Sequence, residues 1–172
     1  MLYFLADDGH PDVRSDGMVF TIGSPAFKNG DTIPTKFTGD GENVSPALTW
    51  TDPPQGTKSF VMICDDPDAP MGTWTHWVIY NIPGGQSGLP EGVPPTKVLQ
   101  GGSNQGLNSW GSVGYGGPSP PPGTPHRYFF RLYAMNCTID ITPGSDKRTL
   151  LRAIEGRIIG QAVFQGTYGR KE

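Results

Sequence analysis

CDDPDAPMGTWTHWVIYNI, residues 64–82, is the stretch that decides how this chain folds. Its second half, WTHWVIYNI (74–82), is β-branched and aromatic on both faces, which predicts a strand buried on both sides near the centre of a sheet. Its first half packs three aspartates and two prolines into residues 64–70. Proline fixes its own φ and pushes the preceding residue towards extended backbone, so this acidic corner is stiff and its side chains point in set directions. The stretch therefore reads as a rigid turn feeding a central strand. Aspartates in such turns commonly do no more than cap backbone N–H groups; the question is whether these do more.

Working outward, MVFTI (18–22), KFT (36–38), ALTW (47–50), KSFVMIC (58–64) and KVLQGG (97–102) are further short strand candidates, separated by turn-forming clusters such as GDGEN and TDPPQG. IPGGQSGLPEGVPP (82–95) reads as a long loop. Residues 101–125, GGSNQGLNSWGSVGYGGPSPPPGTP, hold almost nothing that would pack a core, and so long an irregular segment is usually kept for a use. A strong strand follows, HRYFFRLYAMNC (126–137), with His126, Tyr128, Phe130 and Leu132 on one face and Arg127, Phe129, Arg131 and Tyr133 on the other. DKRTLLRAIEGRII (146–159) carries Leu150, Leu151, Ile154, Ile158 and Ile159 near the helical period, with Ser145 placed to cap its start and Gly160 to end it. QAVFQGTY (161–168) closes the pattern as a strand. The fold class expected is all-β: a two-sheet antiparallel β-sandwich with Greek-key connections, plus one C-terminal helix and short helical turns.

Composition fits that reading. Among 172 residues, 25 glycines and 18 prolines punctuate the apolar runs rather than forming a featureless tract. Residues 1–17 read as a loose N-terminal arm without the basic start of a secretory signal, and residues 18–172 as a single domain. The net charge is −3 and no basic run exists, which argues against nucleic acid and anionic membrane surfaces as partners. No window reaches the length of a membrane span. Two cysteines, Cys64 and Cys137, are too few for a disulfide framework and read as buried thiols of a cytoplasmic protein.

The chemistry-bearing residues sit at the mouths of the two aromatic strands. His76 shares an alternating face with Trp74, Val78 and Tyr80; His126 shares one with Tyr128; Asp66 and Asp68 flank Pro67. Were these to converge, three chemistries compete. Two histidines and a carboxylate could hold a metal, but no HxH or HxxxH spacing preorganises them, so no metal is expected. An acid–base hydrolase could use the aspartates with a histidine, but no GxSxG nucleophile motif appears. A small-anion site needs only donors, and two imidazoles, a phenol and the Gly-rich turn GYGGP (114–118) supply them. Aspartates beside the imidazoles would favour their charged form, so phosphate-type ligands are expected to bind more tightly at pH 6 than at pH 8.

DPDAP (66–70), WTHW (74–77) and GYGGPSPPPGTPHRYFF (114–130) closely resemble the phosphatidylethanolamine-binding protein family, in particular its bacterial Raf-kinase-inhibitor-like branch. GENVSPALTW (41–50), GTKSFVMICDDPDAP (56–70), VIYNIP (78–83), LPEG (89–92) and LLRAIEGRIIGQAVFQGTYGR (150–170) follow in the order of that branch. The resemblance implies a central antiparallel sheet packed on a smaller one, and a pocket at one end that takes phosphate, acetate or phosphoethanolamine-like groups. Carried over, the pocket residues are Asp66, Asp68, His76, His126 and Tyr128, with the Gly117–Pro118 turn closing one wall. It also implies a cis Ala69–Pro70 bond and, among bacterial relatives, homodimers. Ser119 stands where many relatives carry cysteine, and Arg157 where they often carry histidine. The function expected is a non-enzymatic binding protein without a cofactor. The alternatives are a kinase or protease inhibitor acting through the 101–125 surface, and a small phosphate-ester hydrolase.

Overall fold

The computed structural model describes residues 17–171; the arm expected over residues 1–17 lies, but for Gly17, outside them. Eight strands and one helix follow in the order β1 (Thr21–Gly23), β2 (Leu48–Thr51), β3 (Ser59–Asp66), β4 (Trp74–Pro83), β5 (Gly88–Leu89), β6 (Asn104–Gln105), β7 (His126–Met135), α1 (Lys147–Ile154) and β8 (Ile158–Tyr168). They form a three-stranded sheet, β1-β2-β5, and a five-stranded sheet, β6-β4-β3-β7-β8. The pairings between these strands are all antiparallel.

β3 lies at the middle of the larger sheet and all eight of its residues are buried. Alternation explains why. Phe60, Met62 and Cys64 face the smaller sheet, where they meet Phe20, Leu48 and Trp50; Val61 and Ile63 face the opposite way and meet Leu150 and Ile154 of α1. Each of these larger side chains contributes about 1.5–3 kcal/mol of burial. The result is three layers, with the small sheet on one face of the large sheet and the helix on the other.

Two irregularities in β4 place the site. Cys64 pairs with Trp77 but Asp65 pairs with Thr75, so His76 is an extra residue, a β-bulge. A second register shift falls between the Phe60↔Ile82 and Met62↔Ile79 pairs, where Asn81 adopts a left-handed φ of 54°. The bulges break the simple alternation. The expected common face of Trp74, His76, Val78 and Tyr80 is therefore split: Val78 and Tyr80 pack on the helix side, while the His76 ring turns to the opposite face and meets Tyr128.

Several local expectations are corrected. KFT is not a strand: Thr35–Phe37 form a 3-10 turn behind Pro34. KVLQGG forms no strand; Val98 makes only an isolated bridge to Asn104. The loop over 82–95 holds β5, and 101–125 holds β6. The helix stops at Ile154, because Gly156 takes a left-handed φ of 73° and Ile158 and Ile159 are drawn into β8 by pairing with β7. Its cap is Asp146, whose side chain accepts from Thr149 N–H at 2.8 Å, rather than Ser145. The described peptide bonds, Ala69–Pro70 included, are all trans. Cys64 is buried and Cys137 half-buried, and both are free thiols.

Candidate functional site

The three aspartates of the opening stretch have three different partners. Asp65 points to the helix side, where its carboxylate accepts from Lys147 Nζ at 2.6 Å and from the Thr75 hydroxyl at 2.8 Å. Asp66, one residue on, takes the opposite face. One of its oxygens accepts from the Asp68 backbone N–H at 2.8 Å, an Asx turn across Pro67, and the other accepts from His126 Nδ1 at 2.7 Å. Asp68 is gripped by Arg127: the guanidinium donates through Nε and Nη2, and the Arg127 backbone N–H adds a third bond, each at 2.9 Å. That grip holds the Asp68 carboxyl below the usual carboxylate range. The acidic corner is thus bolted to the start of β7 at two consecutive residues.

His76 is held from the other side. Its Nδ1–H donates to the Gly116 carbonyl at 2.6 Å, and the Gly116 N–H donates to the His76 carbonyl at 2.9 Å. The ring edges meet Tyr128 and Trp110 at centroid distances of 5.1 and 5.0 Å. Burial pushes the His76 imidazole below its ordinary pKa, despite the opposing pull of Asp66 and Asp65. This corrects the expectation that neighbouring aspartates keep it charged: with His76 only 3% exposed, desolvation of the cation outweighs the carboxylates. With Nδ1–H committed to Gly116, Nε2 of the neutral ring is a lone pair.

Between the two anchored rings lies a hollow of about 280 Å³, whose walls include Asp66, Pro70, Trp74, His76, Trp110, Ser119, His126 and Tyr128. Asp66, His76, His126 and Tyr128 of the expected set come together here. Asp68 does not line it; it braces the wall through Arg127. Gly117 and Pro118 are set back: Gly117 N–H donates to Asn43 at 2.7 Å, and the Pro118 carbonyl accepts from Gly39 N–H at 2.8 Å. Gly117 instead lines a second hollow of about 430 Å³, separated from the first by Trp110 and Ser119.

Two wall atoms lack partners. Tyr128 Oη and Trp74 Nε1 are buried donors with no hydrogen bond among the described residues. Burial, with help from the Asp66 charge, drives the Tyr128 phenol far above its ordinary pKa, so it remains an O–H donor. An unpartnered buried donor costs about 1–3 kcal/mol, and both of these belong to residues that line the same hollow. Sequence reading missed Trp74 and Trp110 as site residues. Trp74 shares the WTHW motif with His76; Trp110 is one of two large aromatics, with Tyr115, in an otherwise small and polar segment, and stacks edge-on against Trp74 at 5.4 Å. The 119–120 wall is tied down from behind by Arg170, which donates to Ser119 Oγ at 3.0 Å and to the Pro120 carbonyl at 3.2 Å while paired with Asp40. Among the described residues no cluster of His, Cys, Asp and Glu side chains could hold a metal ion, and no helix is long and apolar enough to cross a membrane.

Comparison with known proteins agrees with this architecture. The chain is 51% identical to a UPF0098 protein of Methanothermobacter thermautotrophicus over 145 residues, covering 84% of this chain and 95% of the relative. It is 45% identical to one from Aquifex aeolicus over 156 residues, covering 90% and 91%. Among solved structures, Escherichia coli YbcL, described as a member of the mammalian PEBP family, superposes with a TM-score of 0.82 at 35% identity, covering 88% of this chain and 99% of that one. A phosphatidylethanolamine-binding protein homologue from Chlamydia trachomatis superposes with a TM-score of 0.80 at 38% identity, covering 88% and 98%. The sequence profile of the phosphatidylethanolamine-binding protein matches residues 23–169, and with it the chain belongs to that family.

Proposed function

We propose that this is a non-enzymatic binding protein that captures a small anionic group, of the phosphate, acetate or phosphoethanolamine-like kind, in the hollow between His76 and His126. The observation that carries this reading is the pair of buried donors, Tyr128 Oη–H and Trp74 Nε1–H, left without acceptors in the walls of one opening. Asp66 acts through His126, fixing the proton on Nδ1; Asp68 and the Gly117–Pro118 turn hold the walls rather than touching the ligand. The serine in its wall, Ser119, accepts from Arg170 and has no histidine base among the described residues, which favours binding over acyl or phosphoryl transfer through that serine.

Isothermal titration with inorganic phosphate and with O-phosphoethanolamine tests it. Saturable binding is expected, weakened at least tenfold in His76→Ala, with a thermal melt to verify folding. Absence of binding at millimolar ligand overturns the reading, and turnover of a phosphomonoester that disappears in Asp66→Asn overturns its non-enzymatic part. A second reading, regulation of a protein partner through residues 101–125, draws on Trp110, which is 49% exposed on that loop while its ring touches His76.

A further inference from the structure

The hollow's hydrogen-bond inventory is mixed, and the mixture discriminates between anions. Two donors lack acceptors among the described residues, Tyr128 Oη–H and Trp74 Nε1–H. His76 contributes the reverse. Its Nδ1 proton is committed to the Gly116 carbonyl at 2.6 Å, so Nε2 is the nitrogen left over. The titratable groups around that ring are Asp65 and Asp66 from β3 and Tyr128 and His126 from β7; the loop residues at the ring, Gly116, Gly117 and Trp110, carry no charge. Both carboxylates already have cationic or N–H partners elsewhere, Asp65 in Lys147 and Asp66 in His126.

We propose that the hollow selects oxyanions that bring their own proton, a P–OH donating to His76 Nε2 while the remaining oxygens accept from Tyr128 and Trp74. This rests on the anion-binding reading above and narrows it to hydrogen phosphate and phosphomonoesters. A monoester retains a proton up to a second pKa near 6. Sulfate at the same pH has none, and a phosphodiester has none at any pH of interest. Either would have to draw a proton onto a buried imidazole or face its lone pair with an unprotonated oxygen. Burial disfavours the first, and charge repulsion the second. A site whose buried polar atoms are matched to a ligand hydroxyl rejects the analogue that lacks it.

Calorimetric titration of the wild-type protein at pH 6 with four probes tests this: inorganic phosphate, methyl phosphate, dimethyl phosphate and sulfate. The first two are expected to bind at least about tenfold more tightly than the last two, one decade corresponding to a single good hydrogen bond. Repeating the titrations in buffers of different ionisation enthalpy counts protons. Little net uptake is expected for inorganic phosphate and close to one proton for any sulfate that binds. Equal affinity for all four probes would overturn the proton requirement while leaving anion binding intact. Failure of all four to bind would instead remove the binding reading itself, and the proton requirement with it.

Discussion

Asp65 and Asp66 are neighbours on one strand and face opposite layers of the molecule, and their surroundings differ in kind. On the helix side, Asp65, Lys147 and Thr75 form a closed set, tying α1 to the sheet at 2.6 and 2.8 Å. On the other side, Asp66 and His126 also pair, but beside them two donors have no acceptor among the described residues and a neutral imidazole shows a lone pair. The first arrangement is complete within the protein; on the proposed reading, the second is completed by a bound anion. Saturated polar groups fix a fold, and unsaturated ones held by saturated neighbours mark where it works.

Breaking the closed side gives the largest expected effect. Asp65→Ala leaves the Lys147 ammonium and the Thr75 hydroxyl without their acceptor, and urea unfolding is expected to show a loss of about 3 kcal/mol. Phosphate affinity of the folded fraction is expected to change less than threefold, since Asp65 lies across the sheet from the hollow. A large affinity loss at unchanged stability would erase the contrast between the two sides. Tyr128→Phe works in the opposite direction. Deleting an unpartnered donor is expected to leave stability unchanged or raise it by about 1 kcal/mol, while phosphate binding falls about tenfold. Lost stability there would mean that the hydroxyl is already satisfied in the free protein.

The smallest effect is a slope. Because burial lowers the His76 pKa in the folded state, the unfolded chain binds more protons just below its ordinary value near 6.5. Stability from this residue is therefore full above about pH 6.5 and is lost as pH falls towards the lowered folded value. Plotting unfolding free energy against pH for wild type and His76→Phe is expected to give a shallower acid-side slope in the variant. Identical slopes would show that burial leaves the imidazole's proton affinity as it is in the unfolded chain.

Much of the fold was readable because burial and strand period agree. β3, β7 and β8 follow strict alternation over most of their length, and the β-rich, helix-poor architecture follows from Gly and Pro spacing. What escaped reading depended on partners distant in sequence. Nothing local at His76 marks a bulge; it arises from register against β3. Ile158 and Ile159 fit the helical stripe and yet are claimed by β7, tertiary pairing winning over a short helix. Thr35–Phe37 curl behind Pro34 although their composition suits a strand. For the site, residue types were legible and their convergence came from the family resemblance alone, with Asp68, Gly117 and Pro118 falling outside the hollow; charge was not legible, since the sequence cannot show that burial outweighs the aspartates near His76. Nor could it distribute the three aspartates among Lys147, His126 and Arg127, which come from two different elements.

Gly116 takes the proton of the His76 ring and also hydrogen-bonds that residue's main chain, and it has no room for a side chain, since an added Cβ would lie 2.5 Å from the Trp110 ring. Loop and strand are in this way geared together at a single glycine. On the proposed reading, the surface of Trp110 and the proton placement inside the hollow therefore depend on one and the same backbone position.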